Sequence, residues 1–529
     1  MHGPDAREFL NRVYVNNLAT LKPGAARYGL MLNERGIVVD DGVVVCLAED
    51  HFLLHTTSGG ASAVHRALEE WLQCEWVALR VLVTDVTTQW ATFMLSGPRA
   101  RAVLAQLPGD IDLDRDAFPH MQFRSGSLCG VPVRILRASF TGEVSFEISV
   151  PAACGQSLWE ALLIAGEKYG ITPFGIEALM VLRTEKGFLH VGSDTDGNSM
   201  PQDLGWGDAI AKKTVDFVGR RSLALEVGQD PQRLQFTGIA LLDETATTVS
   251  GAHVLSEDGK GSAGYVTSAC FSPTLGRTVA LGIVAGARAR LGETVAVFYE
   301  GKTQPARLVA PCQLDLEGLR LQADVTTQPP ATPRSAVPQP ATNPQILTPR
   351  SPLAGDNGIA RPGFRLRVET GTELLRLQVF HRGEGQVEAL ATALNTALPG
   401  PGIAHLQGTR TWLWCAPGDW LLAVPAGAGA AELAALRTVA RELPAAASAM
   451  TDSRVLFRLG GARLRDVLAR GTALDLHPQQ FGDRQCAVTR FAGVPVLLLL
   501  AEDDEMLLLA CRSLAAYLLE WFRAASQDC

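Results

Sequence analysis

Two adjacent carboxylates, Asp40 and Asp41, lie inside the run Gly36-Ile37-Val38-Val39-Asp40-Asp41-Gly42-Val43-Val44-Val45, whose β-branched residues read as a strand. Neighbouring strand residues face opposite sides, so the two acids cannot form a dyad. Asp41 shares a face with Ile37, Val39, Val43 and Val45, and Asp40 with Val38 and Gly42. Asp41 is therefore expected on the bulkier apolar side, where an unpaired carboxylate needs a partner or a task. A turn carrying two solvated acids is an equal alternative on pattern alone.

The run from Arg137 to Glu147, with Phe140 and Thr141-Gly142 inside it, reads as a strand, a tight turn and a second strand; an ordinary hairpin explains it as well. Leu182-Arg183-Thr184-Glu185-Lys186-Gly187-Phe188 ends a helical pattern and leads into Gly192-Ser193-Asp194-Thr195-Asp196-Gly197. The Asp-x-Asp-Gly loop lacks the later glutamate of a calcium loop. Glu185 is either a recognition carboxylate or an exposed salt-bridge partner. His51 and His55 lack a third ligand, so no metal is expected. No glycine-rich dinucleotide or phosphate-loop motif is present, and none of the common hydrolase or metalloprotease motifs.

The elements that must position these residues repeat. Gly97-Pro98-Arg99-Ala100-Arg101-Ala102-Val103-Leu104 matches Gly461-Ala462-Arg463-Leu464-Arg465-Asp466-Val467-Leu468, and Gly130-Val131-Pro132-Val133 matches Gly493-Val494-Pro495-Val496. Upstream, Asp50-His51-Phe52-Leu53-Leu54 resembles Asp419-Trp420-Leu421-Leu422, and a further partial copy starts at Gly3-Pro4-Asp5-Ala6-Arg7. Matches in the same order predict one α+β fold used twice. Amphipathic helices are expected over Ala61–Leu72, Gly155–Tyr169 and Gly175–Phe188, and a small β-barrel over about Leu234 to Ala310. The proline- and threonine-rich stretch from Asp324 to Ser351 reads as an extended linker.

The chain has 529 residues, enough for roughly three or four domains of about 100–200 residues. A net charge of -8 argues against general nucleic-acid binding, which wants a basic surface. Ten scattered cysteines without a C-x-x-C, and a start with no secretory pattern, suggest a reducing, cytoplasmic setting; no apolar run is long enough to span a bilayer.

Residues 3 to about 315 resemble the aminomethyltransferase (glycine cleavage T-protein) family, and especially the C-terminal half of the sarcosine oxidase α subunit. The resemblance is carried by Tyr28-Gly29-Leu30-Met31-Leu32-Asn33-Glu34 leading into Asp40-Asp41-Gly42, by Ser139 to Glu147, by Leu182 to Phe188, by Val191 to Gly197, by Asp216-Phe217-Val218-Gly219-Arg220-Arg221-Ser222-Leu223 and by Phe271-Ser272-Pro273-Thr274-Leu275-Gly276-Arg277. Residues from about 351 onward resemble the sarcosine oxidase γ subunit, through Ser351-Pro352-Leu353-Ala354, Trp412-Leu413-Trp414, Asp475-Leu476-His477-Pro478 and Arg512-Ser513-Leu514-Ala515-Ala516-Tyr517-Leu518.

The resemblance implies an α+β aminomethyltransferase fold lacking its N-terminal segment (1–232), its C-terminal β-barrel (233–322), a linker (323–350) and a second T-protein-like domain (351–529). It implies transfer of the methylene carbon of oxidised sarcosine to tetrahydrofolate, giving 5,10-methylenetetrahydrofolate and glycine. A flavin is expected on a β-like partner subunit and not on this chain; the dinucleotide-binding part of the α subunit and a δ subunit are further partners. Asp41 aligns with the family's catalytic carboxylate and Glu185 with the acid that bonds the pterin edge, a two-point contact. Tyr28, Phe140 and Arg137 are placed in the folate site, and Lys213, with Lys212 beside it, at the glutamate tail. The alternatives are a free-standing aminomethyltransferase and a non-catalytic folate-binding or assembly protein.

Overall fold

The computed structural model describes residues 1–324, 346–353, 355–356, 358–380, 385–501 and 505–529. Its first unit is an antiparallel sheet in the order β1-β2-β3, formed by β1 (Ala26–Leu32), β2 (Val38–Ala48) and β3 (His51–Thr56). Helices α1 (Ala6–Val13) and α2 (Ala61–Glu70) close over one face, burying Phe9, Leu10, Val13, Val44, Cys46, Phe52, Val64 and Leu68 in one core. Helix α2 runs on through one π turn, Trp71–Glu75, beyond the expected end at Leu72. The opposite face carries Val43 and Val45, which pack toward Phe123, Leu136 and Ala138 of the second unit.

That second unit has the order β4-β7-β6-β5, from β4 (Trp90–Ser96), β5 (Phe123–Leu128), β6 (Val131–Leu136) and β7 (Ser145–Pro151). It is covered by α3 (Ala100–Leu104) and α4 (Gly155–Gly166), the latter ending in a 3₁₀ turn at Tyr169. Helix α5 (Ile176–Lys186) then leads toward a closed six-stranded barrel of order β10-β11-β8-β13-β12-β9. Its strands are β8 (Leu234–Leu241), β9 (His253–Leu255), β10 (Ser262–Ser272), β11 (Arg277–Ala285), β12 (Thr294–Tyr299) and β13 (Lys302–Val309). The barrel meets the expectation for this region; closure leaves no sheet edge to protect.

The last part holds two sheets. One has the order β17-β18-β19-β16-β20, from β16 (Thr372–Val379), β17 (Ala404–Gln407), β18 (Arg410–Ala416), β19 (Asp419–Pro425) and β20 (Ala445–Ala449). The other has the order β14-β15-β21-β24-β23-β22, from β14 (Gly358–Arg361), β15 (Phe364–Glu369), β21 (Arg454–Gly460), β22 (Cys486–Phe491), β23 (Val494–Leu500) and β24 (Met506–Cys511). Strands β17, β18 and β19 repeat β1, β2 and β3. Strand β16 lies between β19 and β20; in the first unit His2 takes the same place, bridging His51 on one side and Leu82 on the other.

The repeat has a physical basis. Gly3, Gly97 and Gly461 each precede a helix with φ of +142°, +115° and +114°, a region that side chains avoid. A Cβ at Gly3 would fall 2.0 Å from the Arg80 carbonyl oxygen, and one at Gly461 2.5 Å from that of Gly363. Four residues later each copy places an arginine: Arg7 donates to Leu18 O and Leu21 O, Arg101 to Leu113 O, and Arg465 to Leu476 O and Phe481 O. Each guanidinium thus ties down the chain beyond its own helix. The second unit and the last part also meet at equivalent positions: Gln89 and Ser453 stand at the same distance ahead of Gly97 and Gly461, and Gln89 Oε1 accepts from the Ser453 amide at 3.0 Å.

One expectation changes. Arg137 to Val144 form no tight hairpin turn; β6 ends at Leu136, β7 begins at Ser145, and the stretch between them is irregular. Hydroxyl contacts among Ser96, Ser139, Thr141 and Ser145 hold it in place of a strand ladder. Most of the expected linker, residues 325–345, lies outside the described residues. Its ends are fixed to the second unit: Asp324 pairs with Arg101 at 3.0 Å, Leu347 is buried in the core with Leu128 and Val133, and the Arg350 amide donates to Ala153 O.

Candidate functional site

On β2, alternate residues face different neighbours. Asp40, Val44 and Cys46 look toward the helices, whereas Asp41, Val43 and Val45 look toward the rest of the molecule. Both faces are enclosed, and Asp40 is the more deeply buried acid at 3% exposed, against a half-buried Asp41. The alternation expected along the strand holds, but it does not say what covers each face.

Asp41 has a specific partner. The Tyr28 hydroxyl on β1 donates to Asp41 Oδ2 at 2.7 Å, and the Tyr28 ring stacks on Trp206 with centroids 5.1 Å apart. Burial pushes the Asp41 carboxyl above the usual carboxylate range; the Tyr28 bond opposes that shift and the neighbouring Asp40 charge adds to it. Burial, then the Asp41 charge, drive the Tyr28 hydroxyl well above its ordinary value, so it stays a donor.

Glu185 sits in the last turn of α5, 1% exposed. Ser272 at the end of β10 donates to its Oε1 at 2.5 Å, while Oε2 is buried with no hydrogen-bond partner. Its backbone oxygen accepts the amides of Gln313 and Leu314, which draws the chain after the barrel against the helix end. Gly187 closes α5 at φ +68°, where a Cβ would lie 2.3 Å from the Pro311 carbonyl carbon. A buried ion pair sets the helix on the barrel: Arg183 Nη1 donates to Asp194 Oδ2 at 2.5 Å, and Thr267 and Ser268 donate to Asp194 Oδ1. Sequence reading missed this role of Asp194, because its partners lie on a helix and on a distant strand.

Phe140 stacks on Phe188 just past α5, with centroids 6.2 Å apart, so the irregular 137–144 stretch lies beside the Glu185 helix end. In the same place burial raises the Glu143 carboxyl, and the Glu185 charge adds to that effect. Arg137 is 3% exposed; it donates to Leu321 O at 2.7 Å and stands with Arg101 against the Phe146 ring, leaving Nε and Nη1 buried without a partner.

Lys213 corrects its expected role. It is 1% exposed, and its ammonium donates to the backbone oxygens of Asn11, Tyr14 and Asn16. All three N–H groups are used inside the protein. It anchors the chain leading into β1 and cannot meet a ligand carboxylate; Lys212 beside it is exposed.

The arrangement thus brings Asp41 together with Tyr28 and Trp206, and Glu185 together with Ser272, Phe188 and Phe140. Tyr28, Val38, Leu189, Val191 and Trp206 share one core with Leu281 and Ile283 of the barrel, which joins the Asp41 group to the barrel.

Comparison with known proteins follows this division. Residues 1–214 match the family model of the GCVT N-terminal domain, residues 235–315 that of the glycine cleavage T-protein C-terminal barrel domain, and residues 382–528 that of the sarcosine oxidase gamma subunit family. Over 327 residues the chain is 42% identical to sarcosine oxidase subunit alpha of Corynebacterium sp. strain U-96; the match covers 60% of this chain and 34% of that protein. The chain therefore spans about a third of the length of that relative. It is 35% identical over 312 residues to an aminomethyltransferase of Corynebacterium aurimucosum, covering 59% of this chain and 82% of the relative. Among solved structures, the glycine cleavage system aminomethyltransferase T of Bartonella henselae aligns with a TM-score of 0.52 at 28% identity, over 59% of this chain and 82% of that one. No helix among the described residues is long and apolar enough to cross a membrane.

Proposed function

The chain belongs to the aminomethyltransferase family, and on that premise we propose that it transfers a one-carbon unit to tetrahydrofolate as a subunit of a sarcosine oxidase. The reaction is transfer of the oxidised N-methyl carbon of sarcosine to the folate, giving 5,10-methylenetetrahydrofolate and glycine. The observation that carries this reading is the pair of acids: Asp41 bonded to Tyr28, and Glu185 with one buried carboxylate oxygen left unpaired.

The residues fit a pterin. A buried, unpartnered acceptor at Glu185 Oε2 is costly by itself and suits the N–H edge of a bound heterocycle. The stacked pairs Tyr28–Trp206 and Phe140–Phe188 supply aromatic faces for a planar ring. Tetrahydrofolate, when bound, supplies the nitrogen atoms that accept the carbon. Glu185 holds and orients the ring edge. Asp41, as the anion, stabilises positive charge developing near it, and the Tyr28 hydroxyl fixes which oxygen it presents.

The match of residues 382–528 to the sarcosine oxidase gamma subunit family supports a sarcosine oxidase over a free-standing aminomethyltransferase. The partners are then a flavin-bearing β-like subunit and the dinucleotide-binding part of an α subunit. Phe174, just before α5, and Ile176, its first residue, are 42% and 64% exposed, consistent with a surface covered in an assembly. The test is co-purification with a flavin-bearing β-like subunit, followed by measuring 5,10-methylenetetrahydrofolate formed from sarcosine. Asp41→Asn should leave tetrahydrofolate binding within about threefold and lower transfer at least a hundredfold, in line with about 10²–10³ for loss of one electrostatic group. A mutant that loses binding and transfer equally overturns the role of Asp41.

A further inference from the structure

The reverse face of β2 presents a second site. Asp40, one residue from Asp41 but pointing the other way, lines a cleft of about 370 Å³ between the ends of β1 and β2 and helix α2. Glu34, Glu70 and Glu75 surround it, and Ala63 and Trp71 belong to its wall. Among the described residues that line the cleft, none carries a positive charge.

Acidic residues at a surface are ordinary, but Asp40 is not at the surface. It is 3% exposed, its Oδ2 is buried with no hydrogen-bond partner, and only Thr57 and nearby backbone bond its other oxygen. Burial pushes its carboxyl above the usual range, against hydrogen bonds from Thr57 and the nearby backbone. An unpaired carboxylate of this kind is satisfied by a cationic donor.

We propose that this cleft binds a small organic ammonium ion with an apolar body, its charged head set against Asp40. A metal ion fits less well, because among the described residues no three ligating side chains come together. An organic body, by contrast, finds Trp71, Met31 and Val64 in the wall of the cleft. This site is independent of the folate reading, since it lies on the opposite face of the strand.

The test is calorimetric titration of the full chain with benzylammonium, with benzyl alcohol as the uncharged analogue. Saturable binding is expected, at least tenfold weaker for the alcohol. Asp40→Asn should weaken benzylammonium at least tenfold, as should Ala63→Trp, which fills the cleft and keeps Asp40. Asp41→Asn should change it less than twofold. Circular dichroism checks that each variant is folded; if Asp40→Asn is not, Ala63→Trp decides. No saturable binding to the wild type, equal binding of the alcohol, or unchanged binding to Ala63→Trp overturns the proposal.

Discussion

The Tyr28 hydroxyl donates to Asp41 Oδ2 at 2.7 Å, so the two strands that pair edge to edge also share a proton donor and its acceptor. This bond favours the charged acid, whereas burial and the neighbouring Asp40 favour the neutral one, and the net shift is upward. Transfer that depends on the Asp41 anion should therefore fall on the acid side with a midpoint above about 3.9, the ordinary aspartate value. Tyr28→Phe removes a hydrogen bond that favours the anion and should move that midpoint further up. A pH–rate profile checks this; a midpoint that stays or moves down contradicts it.

Asp194 should prove structural. Breaking its ion pair leaves Arg183 charged and 2% exposed without its partner. Removing one member of a buried pair costs about 3–5 kcal/mol, so Asp194→Ala should lower the free energy of urea unfolding by that order. Asp194→Asn, whose amide oxygen still accepts from Thr267, should cost less. A loss below about 1 kcal/mol for Asp194→Ala would show the pair to be dispensable.

Equivalent glycines of the repeats should differ in tolerance. Gly97 and Gly461 have nearly the same φ, but a Cβ at Gly97 meets nothing nearer than Glu143 Oε2 at 3.7 Å, whereas one at Gly461 meets a backbone oxygen at 2.5 Å. Both alanine variants bear the strain of a disfavoured φ, about 1–3 kcal/mol. Gly461→Ala adds a backbone shift and should be the more destabilised, measured by thermal unfolding of the two variants; equal losses would show that φ alone decides.

These outcomes mark where the sequence was legible. The Gly-x-x-x-Arg spacing exposed the repeat because it encodes a local need: a backbone turn that only glycine takes easily, then a guanidinium that reaches the chain beyond the helix. The barrel was legible from short apolar runs separated by glycine turns. The burial order of Asp40 and Asp41 was not, because period-two alternation says which side chains share a face and not which helix lies over it. The resemblance places Lys213 at the glutamate tail, and a lysine whose ammonium is wrapped by three carbonyls looks the same in sequence as one free to meet a ligand. The Arg183–Asp194 pair depends on Thr267 and Ser268 of the barrel, contacts set by tertiary packing alone.

The most direct test of a folate site built on Glu185 is calorimetric titration of the full chain with tetrahydrofolate, for the wild type and Glu185→Ala. A charge-assisted hydrogen bond contributes about 1.5–3 kcal/mol, so the mutant should bind about 10- to 100-fold more weakly while the wild type saturates. A wild type that does not bind, or a mutant that binds as tightly, contradicts it.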